Sequence, residues 1–361
     1  MALNLDRPLV LGIESSCDDT ACAVVDGCGR VLSSVVSSQI QAHRPFGGVV
    51  PEIASREHLS NWPSVSREAL DAAGLEMYDV DAVAATRGPG LVGCLLVGLS
   101  IGRAVAWGLD CDFHAVHHIE GHLYSPFLSP RGVEAEDVPP RFDGLVVSGG
   151  HTSLLEVDAG QVKSLVETRD DAMGEVFDKV GKRLGLAYPQ GPRLDALAET
   201  GTVSKTQFRV LPPKGDLFFS YSGLKSQALR EIDRLARRGI EPPLGEDGLA
   251  APEDDWPQPL RDLAASFRHA AVAQIVDRLR RVHDRRRIDT LAVSGGVAAN
   301  RLLRRALVHW AEEAGANLRL VPIGFAGDNA AMIAFAALER QRRGLVDDPR
   351  RVVVASRLPF G

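Results

Sequence analysis

The sequence is short of cysteine. It has five (Cys17, Cys22, Cys28, Cys94, Cys111), an odd number with no Cys-x-x-Cys pair. That excludes a disulfide framework and a structural zinc site built on thiolates. It also lacks an unbroken apolar run long enough to span a bilayer. The longest, around Leu91–Trp107, is interrupted by Gly93, Gly98, Ser100, Gly102 and Arg103, and reads as a buried helix. The opening residues, Met1–Pro8, are polar and carry no apolar signal core, so a cytoplasmic protein with no membrane partner is expected. Positive charge is outweighed: 41 Lys and Arg against 47 Asp and Glu leave a formal net charge of −6. This excludes a wholly electrostatic nucleic-acid binder but leaves room for a local basic patch. What is present is ordinary for a soluble globular chain, with 45% hydrophobic and 24% charged residues. A length of 361 residues fits two cores.

The densest chemistry lies in His117-His118-Ile119-Glu120-Gly121-His122. In a helix starting here, His118 and His122 are i and i+4 and share a face, about 5–6 Å apart at Cβ. One metal ion can bridge them. The competing reading is a pair of surface histidines beside a loop. The segment follows directly on Phe113–Val116, which reads as a strand, and open α/β sheets bind ligands at the carboxyl ends of strands.

Taken in order, Leu9–Ile13 is a buried strand. Glu14–Thr20 is a small acidic turn, and Ala21–Asp26 and Val31–Ser38 form a hairpin across Gly27-Cys28-Gly29. Such a turn can wrap phosphates with backbone N–H and hydroxyl donors, and Asp18 and Asp19 can hold a hydrated metal or orient a nucleophile. An ordinary acidic β-turn is the alternative. Ile53–Ala73 is largely helical, with Pro63 as a break or a new start. Val80–Thr86, the tight turn Arg87–Gly90 and the helix Leu91–Leu109 make a βα unit, whose Gly93, Gly98 and Gly102 predict close packing on a sheet or a second helix. Leu128–Arg141 is a polar, proline-rich connector and the expected domain boundary. The opening pattern then recurs: strand Gly144–Val147, turn Ser148–Ser153, strand Leu154–Asp158, hairpin Ala159-Gly160 and strand Val162–Val166. This similarity at domain scale predicts two related α/β halves with a cleft between them. Helices are expected over Asp170–Leu186, from Asp195, over Leu260–His283, from Arg301 and over Ala330–Leu338. Glu241–Pro259 is acidic and Pro/Gly-rich and reads as a loop. Strand Thr290–Val293 followed by Ser294–Asn300 and a helix start forms an anion or nucleotide cradle.

Together these stretches resemble the family of universal tRNA threonylcarbamoyladenosine transferases, once taken for glycoprotein endopeptidases. The carriers are Gly12–Thr20, Pro51–Arg56, Gly88–Leu91, His117–His122, Val147–Thr152, Gly174–Lys179, Ser222–Lys225, Ser294–Asn300 and Asp328–Ala331. They cover nearly the whole chain in one order. The resemblance implies an α/β fold of two ribonuclease-H-like domains of the actin, sugar-kinase and Hsp70 superfamily. These are expected over 1–130, completed by about 328–361, and over 131–327, with the acidic loop at 241–259. It implies a divalent metal, iron first and zinc second, on His118, His122 and Asp328. It carries substrate contacts onto Val146, Val147, Ser148, Gly149, Gly150, Asp178, Gly191, Asp195 and Asn300. The reaction it implies is transfer of a threonylcarbamoyl group from threonylcarbamoyl-AMP to N6 of adenosine 37, beside the anticodon of tRNAs that read codons beginning with A. It places the metal-assisted site in the cleft.

The residue types suit that chemistry. Two imidazoles and a carboxylate leave metal positions open, and the glycines let backbone N–H groups approach phosphate and ribose. Adenosine N6 must lose a proton during attack, and Asp18, Asp19 or a nearby histidine can take it. The implied partners are tRNA, a paralogous dimerisation subunit of the same fold, a small ATPase and the enzyme that makes threonylcarbamoyl-AMP. The helix Leu91–Leu109 or the Ile53–Ala73 region is the expected partner face. The basic runs Arg278–Arg287 and Arg301–Arg305 are candidates for tRNA phosphates, or else simply solvated. Two departures stand out. Gln190 replaces a family glycine in Tyr188–Pro192, and Ala326-Gly327 stands where the family often has Cys-Thr. The competing functions are a small-molecule kinase on the same fold, a non-catalytic nucleotide scaffold, and a peptidase. The peptidase needs His-Glu-x-x-His, whereas Glu120 is two residues past His118.

Overall fold

The computed structural model describes residues 8–204, 208–209, 215–243 and 256–360. In chain order the elements are β1 (Leu9–Glu14), β2 (Asp19–Asp26), β3 (Val31–Ser38), α1 (Ile40–His43), α2 (Pro51–Ala73), β4 (Ala82–Gly88), α3 (Val92–Leu109), β5 (Asp112–His117), α4 (His118–Tyr124), β6 (Arg141–Val147), β7 (Thr152–Asp158) and β8 (Gln161–Glu167). There follow α5 (Met173–Arg183), α6 (Gln190–Glu199), α7 (Ser222–Ala236), α8 (Gln258–Arg285), β9 (Thr290–Ser294), α9 (Arg301–Ala314), β10 (Asn317–Leu320) and α10 (Ala330–Arg342).

Two five-stranded sheets form, ordered β3-β2-β1-β4-β5 and β8-β7-β6-β9-β10. Each reads third, second, first, fourth, fifth, so the recurrence seen in the sequence is a duplicated topology. β1 pairs antiparallel with β2 and parallel with β4, and β6 pairs parallel with β9. The compact units comprise Met1–Arg141, Val157–Val162 and Arg319–Gly361, and Phe142–Glu156 and Lys163–Leu318. The connector after residue 130 stays with the first unit: Arg131 Nη1 donates to the Ala72 carbonyl at 3.0 Å, and Arg319 pairs with Glu136 at 2.5 Å.

In the first unit, β1 and most of β2 are buried. α3 is, among the described residues, the one helix long and apolar enough to cross a membrane by length and composition, with a mean hydropathy of 1.7. It lies on the sheet instead. A Cβ on Gly98 would fall 2.1 Å from Ser15 Oγ, and one on Gly102 would fall 2.9 Å from Ala85 Cβ; Gly93 faces Ser55 of α2. The helix glycines are therefore the contact surface. α10 crosses the sheet so closely that a Gly12 Cβ would sit 2.1 Å from the Ala330 carbonyl oxygen. Pro63 does not break α2, which runs unbroken through it. α6 begins at Gln190 and not at Asp195, which puts Gly191 in its first turn. Of the expected acidic loop, residues 244–255 lie outside the described residues.

Candidate functional site

The first cluster forms where β5 runs directly into α4. His117 caps the helix: its Nδ1 accepts from Ile119 N–H at 3.1 Å, and its Nε2–H donates to the Leu358 carbonyl at 2.8 Å. Its ring stacks on Phe360 with centroids 4.1 Å apart. Burial pushes its pKa down to about 4, which keeps the neutral tautomer these two bonds require. His118 and His122 then share one face, ring centroids 4.8 Å apart.

Asp328 arrives from the start of α10. Its neighbour Asn329 is the helix cap, with Oδ1 accepting from Met332 N–H at 3.0 Å and Nδ2 donating to the Gly327 carbonyl at 2.9 Å. Gly121 lets α10 approach α4, since a Cβ there would lie 2.9 Å from Ile333 Cδ1. Asp328 Oδ1 ends 3.2 Å from His122 Nε2 and 3.6 Å from His118 Nε2. One ligand atom from each of these three residues falls within 4.8 Å of the others.

A carboxylate that sequence reasoning did not assign completes this arrangement. Glu14, fully buried at the end of β1, holds His118 Nδ1 at 3.1 Å, Thr86 Oγ1 at 2.7 Å and Ser16 N–H at 2.5 Å. With Nδ1–H donated to Glu14, His118 Nε2 faces the Asp328 side and is the nitrogen a metal would take in place of its proton, the arrangement that orients a metal-binding imidazole. The available signal was a glutamate closing a buried strand. Burial alone would depress the His118 imidazolium, but Asp328 and Glu14 outweigh it and push its pKa up to about 9.

The donor set fits a divalent ion. The fully buried His122 ring has no hydrogen-bond partner at either nitrogen, a cost of about 1–3 kcal/mol unless something binds there. Glu120 is elsewhere: it faces Arg343 at 3.2 Å and Arg340 at 3.7 Å, on the opposite side of α4. It is not a peptidase base beside the cluster.

Asp18 and Asp19 lie at the start of β2, outside the three-residue cluster. Burial pushes the Asp19 carboxyl up to about 7, and its Oδ1 has no hydrogen-bond partner. Burial drives the thiol pKa of Cys17, beside them, far up, which disfavours its thiolate. All five cysteines are free.

The other positions lie in the second unit. Val146 and Val147 end β6 and are buried, while Gly149 and Gly150 are exposed, with open space where side chains would be. Ser148 N–H donates to the His151 carbonyl at 2.8 Å. Gly295, at φ +91°, passes so near Val147 that a Cβ would meet its carbonyl oxygen at 2.3 Å, which only glycine permits. Asp178 Oδ1 accepts from Gly191 N–H at 2.7 Å. Asp195 Oδ1 accepts from Asn300 Nδ2 at 2.5 Å and from the buried Arg268 Nη1 at 3.0 Å. Asn300 Oδ1 caps α9 by accepting from Leu303 N–H at 2.9 Å. Gln190 is buried at the tight α5–α6 contact, where a Gly181 Cβ would lie 2.7 Å from its own Cβ.

The basic run Arg278–Arg287 is largely spent on internal pairs. Arg278 is buried beside Asp277, Arg281 pairs with Asp277 at 2.8 Å, Arg280 with Glu313 at 2.8 Å, and Arg286 with Asp143 and Glu156.

In three dimensions the chain resembles T. kodakarensis HypF, with a TM-score of 0.58 and 15% identity over 94% of this chain and 48% of that one. It also resembles component A of the Acidaminococcus fermentans (R)-2-hydroxyglutaryl-CoA dehydratase, with a TM-score of 0.51 and 15% identity over 93% and 99%. Duplicated sheets and these likenesses define an α/β protein built on two sheets of one topology. Sequence narrows this further. Residues 30–335 match the family model for tRNA N6-adenosine threonylcarbamoyltransferase. Proteins of that name are 46% identical over 328 residues in Pelobacter propionicus (90% of both chains). In Symbiobacterium thermophilum the figure is 43% over 347 residues (95% of both). The chain belongs to the tRNA N6-adenosine threonylcarbamoyltransferase family, whose members are transferase enzymes.

Proposed function

We propose that this chain transfers the threonylcarbamoyl group of threonylcarbamoyl-AMP to N6 of adenosine 37 in tRNA, using a divalent ion held by His118, His122 and Asp328. The observation that carries the metal assignment is the buried His122 ring, without a hydrogen bond at either nitrogen, facing Asp328 in a three-ligand cluster. Iron(II) is the first choice and zinc the second, since imidazole and carboxylate suit both. When bound, such an ion supplies Lewis-acid polarisation of a phosphate or carbonyl oxygen.

The chain's own groups do the rest. Glu14 fixes the His118 tautomer, and His117 fixes the start of the helix that carries both imidazoles. Asp19, with a pKa of about 7, is matched to accept the N6 proton at neutral pH. In the second unit, Gly149 and Gly150 offer backbone donors, and Ser148 its hydroxyl, to phosphate beside Val146 and Val147. Asp178 and Asp195, oriented by Gly191, Asn300 and Arg268, are the acceptors for ribose hydroxyls.

The partners in this reading are tRNA, a paralogous dimerisation subunit, a small ATPase and the synthase of threonylcarbamoyl-AMP, with the cytoplasm as the site of action. A docking face for the paralogue is supported on α3 and α2, where Leu96 is 50% exposed, Trp107 74% and Leu59 65%.

The reading is tested by depleting the protein in its host and quantifying threonylcarbamoyladenosine in digested tRNA by mass spectrometry. The nucleoside disappears and returns with wild type but not with Asp328→Ala. An unchanged level on depletion, with no second gene copy, refutes it.

A further inference from the structure

On the Glu120 side of α4, the first unit contains a pocket of about 280 Å³ that the proposed reaction does not use. Its lining includes Arg87, His117, Glu120, Arg340, Arg343 and Phe360. Two of the three guanidiniums are compensated. Arg340 lies 3.0 Å from Asp347 and 3.7 Å from Glu120, and Arg343 lies 3.2 Å from Glu120 and donates to the Gly160 carbonyl at 2.8 Å. Among the described residues no carboxylate pairs with Arg87. Three guanidiniums against two carboxylates leave one positive charge in surplus. The Nε groups of Arg87 and Arg340 are both buried with no hydrogen-bond partner.

A guanidinium without a carboxylate partner on the pocket wall favours an anionic ligand there. A guanidinium fork matches the geometry and charge of a phosphate group. The volume exceeds what free phosphate fills, and the stacked His117–Phe360 rings supply an aromatic wall for an attached group. We propose that this pocket is an anion site that takes a phosphate group, free or esterified to a small planar moiety, with Arg87 as its principal donor. It is separate from the metal cluster, because Glu120 faces away from His118 and His122 on the helix.

The test is calorimetric titration of inorganic phosphate and of phenyl phosphate into the full, metal-loaded chain. Wild type binds both saturably, and phenyl phosphate more tightly. Arg87→Gln weakens both by about tenfold or more, the loss of one charge-assisted bond. Phe360→Ala weakens phenyl phosphate alone. Should Arg87→Gln fail to fold, Arg87→Lys keeps the charge, removes the fork and gives a smaller loss in the same direction. Asn300→Ala, in the second unit, leaves this binding unchanged. The proposal is overturned if wild type shows no saturable binding, if Arg87→Gln binds like wild type, or if Asn300→Ala removes the binding instead.

Discussion

The same turn, between the first and second strands of each duplicated sheet, is finished in opposite ways. After β1 it is filled: Glu14, Ser15 and Ser16 are all at most 3% exposed, and the glutamate is spent on holding His118. After β6 it is emptied: Gly149 and Gly150 are exposed and nothing occupies the space beside them. One topology thus yields a buried carboxylate that sets up imidazoles in the first unit. In the second it yields bare backbone that can face a phosphate. The fold fixes where a site can form, and the turn's side chains decide which chemistry it supports.

The sharpest way to break this comparison is to remove a ligand. His122→Ala is expected to abolish metal binding and transfer together, read by elemental analysis and by product formation. Next comes the residue behind the ligand. Glu14→Gln is expected to weaken metal affinity about 10–100-fold in a chelator competition, because the His118 tautomer is no longer fixed. An equal loss from Ser148→Ala would erase the contrast between the two turns.

Asp19 gives a pH signature. Its pKa is 3.8 ordinarily and about 7 in the fold. Below the lower value both states are protonated and the site costs nothing. As pH rises the unfolded chain ionises first, so a penalty builds and is complete above the folded value. Asp19→Asn should therefore stabilise the chain by up to about 4 kcal/mol at pH 8 and by well under about 1 kcal/mol at pH 4 in urea melts. If Asp19 is the base, the same substitution removes the limb near neutrality from single-turnover transfer. The smallest effect is expected in the second unit. Arg268→Met leaves Asp195 held by Asn300 alone and should weaken binding of a threonylcarbamoyl-AMP analogue about tenfold, with metal content unchanged.

Much of this is legible in the sequence, and what is not escapes for definite physical reasons. The i, i+4 spacing put His118 and His122 on one face, and the strand–turn–hairpin recurrence announced the duplication. The glycines of α3 announced its close packing. Asp328 was reached only through family resemblance, since no local spacing links it to the histidines; it arrives because Gly121 admits α10. The role of Glu14 is not legible in the Gly12–Thr20 stretch, because a buried carboxylate's partner, here some hundred positions away, is not written in its neighbours. The sequence predicts a break or a new helix start at Pro63, yet α2 continues through it. The run Arg278–Arg287 looked like a basic patch because its acidic partners Asp143, Glu156 and Glu313 are distant in sequence.

The most direct test of the account is the metal content of the full chain purified from its host under anaerobic conditions, wild type beside His122→Ala. The account predicts about one divalent ion per wild-type chain and essentially none in the variant. A variant that keeps its full complement of metal would contradict it.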